Sequence, residues 1–440
     1  MKNRKESDGN MKRILIIGGG YGGIAAAKAL LKKVKNRGGY EILLAEKNRY
    51  HTLMTQLHEV AGGRIHPQDV QVRYNEIFRG KNSHRLGILR QDIVKIDFGE
   101  KKVTSRENLS YQYDYLILAT GSRPAFFQVE NAAKNAFPIW SQKEAVIIYE
   151  KVADCFYLAD KETRGKRRND LLTFSVAGGG FAGVEMAGEL SIYCKKMCRR
   201  YGLEPDEVKI NLLEGAGTIL GNLDRKSARR AEKYLKKLGV QVRNGAVIRK
   251  AEEDKIYLED GEVLPGTLIW SAGIKGNPTP GDGEAYWNKR ERVEVNKYLQ
   301  SHFHENVFCV GDNLSLEIQD KQMPQIVEHA RQSGMCAGEN VFALDQGKPL
   351  KEYAPKFHGS LVSIGPVWAV ASLGKIRIGS IFATALKHLV NLHYHWDIGG
   401  IPLALRYLDA QFIRRLFPFL FSQKTGSLDK QPTQFYDVPE

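Results

Sequence analysis

Two carboxylates in this chain, Glu46 and Glu214, each close an apolar run of strand type, YEILLAE and VKINLLE. Upstream of each stands a glycine cluster: Gly18, Gly20 and Gly23 in LIIGGGYGGIAAAKAL, and Gly178, Gly180 and Gly183 in FSVAGGGFAGVEMAGEL. The combination suits a bound adenine dinucleotide. In a G-x-G-x-x-G turn the first glycine permits the turn, the second lets backbone approach a pyrophosphate, and the third lets the helix pack on the strand. The unpaired N–H groups opening that helix face the phosphates with partial positive charge. An acidic residue ending the next strand accepts a hydrogen bond from a ribose 2′-OH. A carboxylate there repels a 2′-phosphate, and the first basic residue after Glu214 is Arg225, so NADH is favoured over NADPH.

These residues must be held by strand, turn and helix in that order, and the surrounding sequence has that pattern. β-Branched and apolar residues precede each glycine cluster, and small or apolar residues at helical spacing follow it. From Gly18 to Glu46 and from Gly178 to Glu214 the interval exceeds the usual spacing of about 20 residues. Extended crossovers are therefore expected in KALLKKVKNRGG and SIYCKKMCRRYGLEPDE. One such match also arises from packing alone. Two, each closed by a glutamate, point to a flavin and a nicotinamide held face to face so that hydride can cross.

The chain resembles the two-dinucleotide-binding flavoproteins of the pyridine nucleotide-disulfide oxidoreductase superfamily through YDYLILATGSRP, LIWSAGIKGNP and VFCVGDNL. The resemblance covers roughly residues 11–370. It implies FAD on the first glycine loop and NADH on the second, with Asp312 beside the ribitol and phosphate of FAD. It also implies that Thr120 with Gly121, and Ser271 to Gly273, mark where the chain passes between domains. The candidate cofactor-binding residues on this resemblance are Gly18, Gly20, Tyr21, Gly22, Gly23, Glu46, Lys47, Val94, Thr120, Gly121, Asp312, Ala330, Arg331, Gly178, Gly180, Gly183, Glu214 and Gly273.

What takes the electrons decides the activity. Dithiol reductases of the group carry a cysteine-containing redox pair beside the flavin, whereas Cys155, Cys194, Cys198, Cys309 and Cys336 contain no C-x-x-C. Cys194 and Cys198 fall one helical turn apart, a spacing poorly suited to a disulfide; Cys309 and Cys336 read as small buried hydrophobes. Sparse, unpaired cysteines suit a reducing cytoplasm. NRYHTLMTQLHEVAGG and FHGSLVSIG instead resemble segments of the type II NADH:quinone oxidoreductases. That resemblance implies a role for Glu185 near the nicotinamide and flavin rings; the ordinary alternative is a first-turn carboxylate favoured by the helix dipole. It also implies that a helix near residues 323–334 lines a quinone pocket. Where the family has A-Q-x-A-x-Q, this chain has Val327-Glu328-His329-Ala330-Arg331-Gln332. Gln332 is kept, and Glu328 replaces an amide by a carboxylate that accepts but does not donate unless protonated. Glu185, Glu328 and Gln332 are the candidate catalytic residues.

Residues 378–421 are dense in Leu, Ile, Phe, Trp and Tyr, with Lys387, Arg406, Arg414 and Arg415 interspersed. The stretch is too charged to span a bilayer; it reads as helices lying in the interface, apolar face down and cations beside anionic head groups. An amphipathic cap or a homodimer contact is the alternative. His388, His393 and His395 stand five and two residues apart, positions that do not share one helical face, and no metal is expected. Among 440 residues, 65 Lys and Arg against 50 Asp and Glu leave +15, a field suited to an anionic membrane surface or nucleic acid. No nucleic-acid fold signature accompanies it, so no nucleic acid is expected, and KETRGKRRND reads as a solvated loop. The first ten residues lack the apolar stretch of a signal peptide, and the end reads as a polar tail.

The expected fold is α/β, two Rossmann-like dinucleotide-binding domains, one inserted in the other, with a C-terminal amphipathic helical segment. The FAD domain is placed at 11–140 and 275–355, the NADH domain at 141–274, and a membrane-facing segment with its tail at 356–440. The expected function is an FAD-dependent NADH dehydrogenase, peripheral on the cytoplasmic face of the cell membrane, reducing a quinone without pumping protons. A soluble NAD(P)H-dependent flavoprotein reductase with another acceptor, or a non-enzymatic redox sensor, stays open.

Overall fold

The last four residues of Lys12–Ile17 are buried, as in a strand covered on both faces, and this strand is the middle of a five-stranded parallel sheet. The order is Val307–Cys309, Tyr115–Leu118, Lys12–Ile17, Tyr40–Ala45, Leu86–Leu89. In this computed structural model residues 11–80, 83–281, 287–318 and 321–414 are described. Helix Tyr21–Lys33 follows the first glycine loop and packs on helix Val327–Asp345. Small residues let the two backbones approach: a Cβ built on Gly334 would lie 2.1 Å from the Gly22 carbonyl oxygen. An antiparallel meander, Ile93–Asp97, Lys102–Ser105 and Ser110–Gln112, comes between the outermost strand and Tyr115–Leu118.

The second glycine loop follows Thr173–Ala177, which is buried throughout. Its sheet repeats the first: Phe137–Pro138, Thr267–Trp270, Thr173–Ala177, Lys209–Glu214, Val240–Asn244, all parallel. A meander of Ile248–Glu252, Lys255–Leu258 and Val263–Pro265 again precedes the strand on the inner side. The duplication therefore extends from two loops to two whole sheets. In both, the loop strand is central and the glutamate strand lies beside it.

The chain divides into two compact units, one of residues 11–51, 72–123 and 274–357, the other of 52–71, 124–273 and 358–414. Relative to the sequence reading, residues 52–71, residues 124–140 and the C-terminal segment from 358 group with the second glycine loop. The reason is packing: a Cβ on Gly188, in helix Phe181–Tyr201, would meet Gly365 N at 2.8 Å, and one on Gly62 would meet Glu189 at 2.8 Å.

The C-terminal segment starts as a sheet, Ser360–Ser363, Ala369–Leu373 and Ile376–Ser380. Helix Ile381–Leu408 follows, interrupted at Gly400 (φ 72°) just before Pro402, and closes with a π turn at Asp409–Ile413. The break turns the chain back on itself. His388 Nδ1 lies 2.7 Å from the Tyr407 hydroxyl, and the His395 ring is 4.7 Å from the Tyr407 ring. These histidines, seven residues apart, do share a face, and they use it to close the helical bend. Two expectations are corrected: residues 378–380 belong to a strand, and the predicted loop at 161–170 contains helix Lys166–Leu171, steadied by Arg168 to Glu207 at 2.7 Å. Arg415, the remainder of the apolar stretch to residue 421, the polar tail and the first ten residues lie outside the described residues.

Candidate functional site

In the first unit, Gly18 has φ +101° and a Cβ there would sit 2.3 Å from the Ala119 carbonyl oxygen, so the turn admits no side chain. A Cβ on Gly20 meets nothing within 4 Å, and Gly23 is pressed on Gly18. The open space at Gly20, next to the start of helix Tyr21–Lys33, fits a pyrophosphate drawn to the helix N-terminus. Glu46 Oε2 accepts from Gly19 N at 2.8 Å, and Oε1 from Asn48 N at 2.9 Å. The carboxylate thus clamps the loop while keeping acceptor capacity for a ribose hydroxyl. A cleft of about 430 Å³ beyond it is lined by Asn48, Arg49, Arg73, Tyr74, Asn75, Ile88 and Arg90.

Tyr21 sets its ring edge-on to His51 at 4.7 Å; Lys47 is exposed and Val94 half-buried on the meander. Gly22 faces Val310 and Ala330. Gly121 has φ +72°, and the Thr120 hydroxyl accepts from Asn313 Nδ2 at 2.9 Å. Asp312 accepts from Ser122 Oγ at 2.7 Å. Burial raises its pKa, against the lowering effects of Ser122 and Arg292. Gly22, Thr120 and Asp312 come together near the end of Tyr115–Leu118 and the start of helix Val327–Asp345.

Glu328 lies in the first turn of that helix, half-buried, and Arg331 is half-buried beside it. Both ends of the Gln332 amide are engaged: Nε2 donates to Lys356 O and Oε1 accepts from Lys356 N, each at 2.8 Å. Sequence reasoning missed that this glutamine holds the following chain. It also missed His329, buried between Met323 Sδ (3.0 Å) and the Tyr353 hydroxyl (3.1 Å), its pKa lowered to about 4 by burial.

The second unit repeats the clamp. Glu214 Oε2 accepts from Gly179 N at 2.6 Å, and Oε1 from Ala216 N at 2.7 Å. Gly178 has φ +95°, and a Cβ on Gly180 again meets nothing within 4 Å. Gly183 is pressed on Gly178, and Gly273 on Phe127. A cleft of about 190 Å³ runs along Gly179, Gly180, Phe181, Glu214, Ala216 and Leu220. Among the described residues no basic side chain lines it.

Glu185 sits beyond the first turn of Phe181–Tyr201, so the helix-dipole alternative is set aside. Its Oε1 accepts from Ser363 N (3.1 Å), Ser363 Oγ (3.0 Å) and Lys387 Nζ (2.8 Å), and its Oε2 is 3.6 Å from His58 Nδ1. His58 is fully enclosed, and burial, then Lys387, holds its pKa well below the ordinary value. Arg64 bridges Glu59 at 2.9 Å and Glu189 at 3.0 Å, while Gln411 Nε2 donates to Glu59 at 2.6 Å. Burial pushes the Glu59 carboxyl up, but Arg64 and its neighbours outweigh this and hold it low. The arrangement offers an ammonium and a carboxylate in contact, able to hold or exchange a proton. Its signal in the sequence was the run of ionisable residues in LHEVAGGR, charges placed inside an apolar stretch.

Of the cations expected beside lipid head groups, the three among the described residues are held by protein groups. Lys387 is buried against Glu185, Arg406 donates to the Gln71 carbonyl, and Arg414 pairs with Asp69 at 2.6 Å and Asp409 at 2.9 Å. The outward stripe of the helix is apolar instead: Phe382 is 76% exposed, Leu389 61% and Trp396 59%. Among the described residues no helix is long and apolar enough to cross a membrane. All five cysteines are buried and unbridged.

A family model described as pyridine nucleotide-disulphide oxidoreductase matches residues 12–334. A curated protein named Type II NADH:quinone oxidoreductase, from Staphylococcus aureus, is 28% identical over 404 residues, 90% of this chain and 98% of that protein. Among solved structures, NDH2 from Plasmodium falciparum in complex with RYL-552 matches with a TM-score of 0.82 at 16% identity, covering 93% of this chain and 99% of that one. The sulfide:quinone oxidoreductase of Aquifex aeolicus gives 0.72 at 18% identity, over 93% and 95% of the two chains. At such identities the structures speak for the fold alone.

Proposed function

The chain belongs to the pyridine nucleotide-disulphide oxidoreductase family, and from that premise we propose that it oxidises NADH through FAD and passes the electrons to a membrane quinone without pumping protons. The observation that carries this reading is the twice-built clamp, Glu46 on Gly19 and Glu214 on Gly179. Each fixes a carboxylate one residue from a glycine that faces open space, Gly20 or Gly180, the surroundings an adenosine ribose and a pyrophosphate need. FAD, when bound, supplies the capacity to take hydride and release electrons to an acceptor. Gly20 gives FAD its pyrophosphate space, Glu46 its ribose acceptor, and Asp312 with Thr120 the polar groups at the far end of the loop. Glu214 selects NADH by accepting from its ribose and repelling a 2′-phosphate.

Two further observations favour a quinone over a disulfide acceptor. The cysteines are buried, and burial lifts the pKa of Cys155, Cys194, Cys198, Cys309 and Cys336, leaving each an inert thiol. The C-terminal helix displays an apolar stripe suited to the bilayer interface, where a quinone resides. Glu185 with Lys387 can steer a proton, and Glu328 in the first turn of its helix is the second candidate. On this reading the enzyme works as a peripheral protein on the cytoplasmic face of the cell membrane.

Anaerobic mixing tests the reading. NADH bleaches the flavin band, and quinone in liposomes restores it with no acidification across the vesicle wall. Reoxidation by a small water-soluble acceptor but not by lipid-embedded quinone would establish a soluble reductase; no reduction by NADH would establish a binding protein.

A further inference from the structure

Among the described residues, the three cations expected to accompany the apolar stripe of the C-terminal helix, Lys387, Arg406 and Arg414, are engaged by Glu185, the Gln71 carbonyl and Asp69 instead. We propose that the cations that dock this enzyme on an anionic membrane come from another element of the same unit, helix Arg225–Leu238, through the stripe Lys226, Arg230, Lys233 and Lys237. The proposal rests on the reading of the protein as a membrane-surface enzyme and names the lipid chemistry it selects.

Ser227, Ala228, Ala231 and Leu235 are buried and fix the inner face of the helix. Lys226, Arg230, Lys233 and Lys237 follow at i, i+4, i+7 and i+11, one line along the surface. Lys226, Lys233 and Lys237 are exposed. The single acid of RKSARRAEKYLKKL, Glu232, lies off this line and pairs with Lys236 at 2.7 Å. Like charges three and four residues apart cost stability in a solvated helix, a cost that an anionic surface removes.

The stripe borders the C-terminal hairpin. Arg230 Nη1 donates to Arg377 O at 3.2 Å, and the Tyr234 ring stacks on Trp368 at 4.3 Å. That hairpin exposes Ile376 (60%) and leads directly into Ile381 (61%) and Phe382 (76%). Cations beside an apolar wedge on one unit is the composition that holds a protein in an anionic interface, the wedge entering the acyl boundary and the cations meeting head groups. A nucleic acid would satisfy the cations and leave Ile376, Ile381 and Phe382 in water, so the lipid surface is the occupant the structure favours.

The triple variant Lys226→Gln, Lys233→Gln and Lys237→Gln tests this, since glutamine keeps helix propensity close to that of lysine. Binding is measured to vesicles of phosphatidylcholine alone and of phosphatidylcholine mixed with phosphatidylglycerol, at low and high salt. Wild type binds both and prefers the anionic vesicles. The variant keeps its binding to neutral vesicles and its NADH oxidation with a water-soluble acceptor, but loses the anionic preference, about fivefold per cation and on the order of a hundredfold for three. An undiminished anionic preference in the folded variant overturns the proposal. Tighter, salt-sensitive binding of wild type to duplex DNA than to vesicles, lost in the variant, also overturns it. Wild type that binds neither vesicle overturns the membrane reading itself, a result distinct from loss of the anionic preference alone.

Discussion

At the residue scale the glycines and glutamates of the two loops were legible because their roles are local: strand, turn, helix and strand end lie close in sequence. That each carboxylate also clamps the N–H of the middle glycine was not, since it requires two strands in parallel register. Gly20→Val is expected to fold, because its Cβ enters open space, yet to lose FAD, because that space is where the pyrophosphate passes. Flavin absorbance of the purified variant checks it, and full flavin content would reassign the loop. Glu214→Gln weakens NADH by roughly tenfold or more, as expected for a charge-assisted hydrogen bond of about 1.5–3 kcal/mol, and narrows the gap to NADPH; the ratio of kcat/KM for the two substrates reports both. Glu185 was singled out by resemblance, but its partner Lys387 lies far along the chain and was read as a surface cation. Glu185→Gln leaves the Lys387 ammonium buried without a carboxylate and costs about 3 kcal/mol. Adding Lys387→Met recovers most of that stability in urea melts but not quinone turnover; recovery of both would make the pair purely structural.

At the element scale the duplicated sheets followed from the duplicated motifs, whereas the C-terminal segment was seen as amphipathic without its bend. Hydropathy shows that a helix has an apolar side but not that Gly400 breaks it and returns Tyr407 to His388 and His395. Nor could it show that the pattern begins on a strand. The bend predicts a pH dependence. Burial lowers the pKa of His395 to about 4, below the ordinary value of about 6.5, so the unfolded chain binds a proton that the folded one refuses. Stability is therefore fully present above pH 6.5 and is lost as pH falls from there towards 4, by on the order of 2–3 kcal/mol for this group. His329, also lowered to about 4, acts in the same direction. Thermal melts between pH 7 and pH 4.5 measure the slope. It flattens in His395→Gln, and an unchanged slope would show that His395 does not take part.

At the scale of the whole molecule, the structure changes which experiment isolates the membrane. Deleting the chain from Ile378 would remove most of strand Ile376–Ser380 from its sheet and take Lys387 from Glu185, so lost activity would not distinguish a missing anchor from a damaged site. The exposed stripe separates them. Phe382, Leu389 and Trp396, seven residues apart and on one line of the helix, can each become serine without leaving a cavity, because their surfaces already face outward. Transfer of such side chains out of water is worth about 1.5–3 kcal/mol each when complete, so partial burial in the interface gives each several-fold to about tenfold in membrane partition. The triple serine variant should retain flavin, NADH reduction and turnover with a soluble acceptor, bind neutral vesicles on the order of a hundredfold less well, and lose turnover with a long-tailed quinone in proportion. A short-tailed quinone in solution should rescue that turnover, since the defect lies in reaching the bilayer and not in the chemistry. Persistence of vesicle binding in this variant would show that the stripe is covered by something other than lipid, with a second copy of the chain the first candidate to seek by sedimentation.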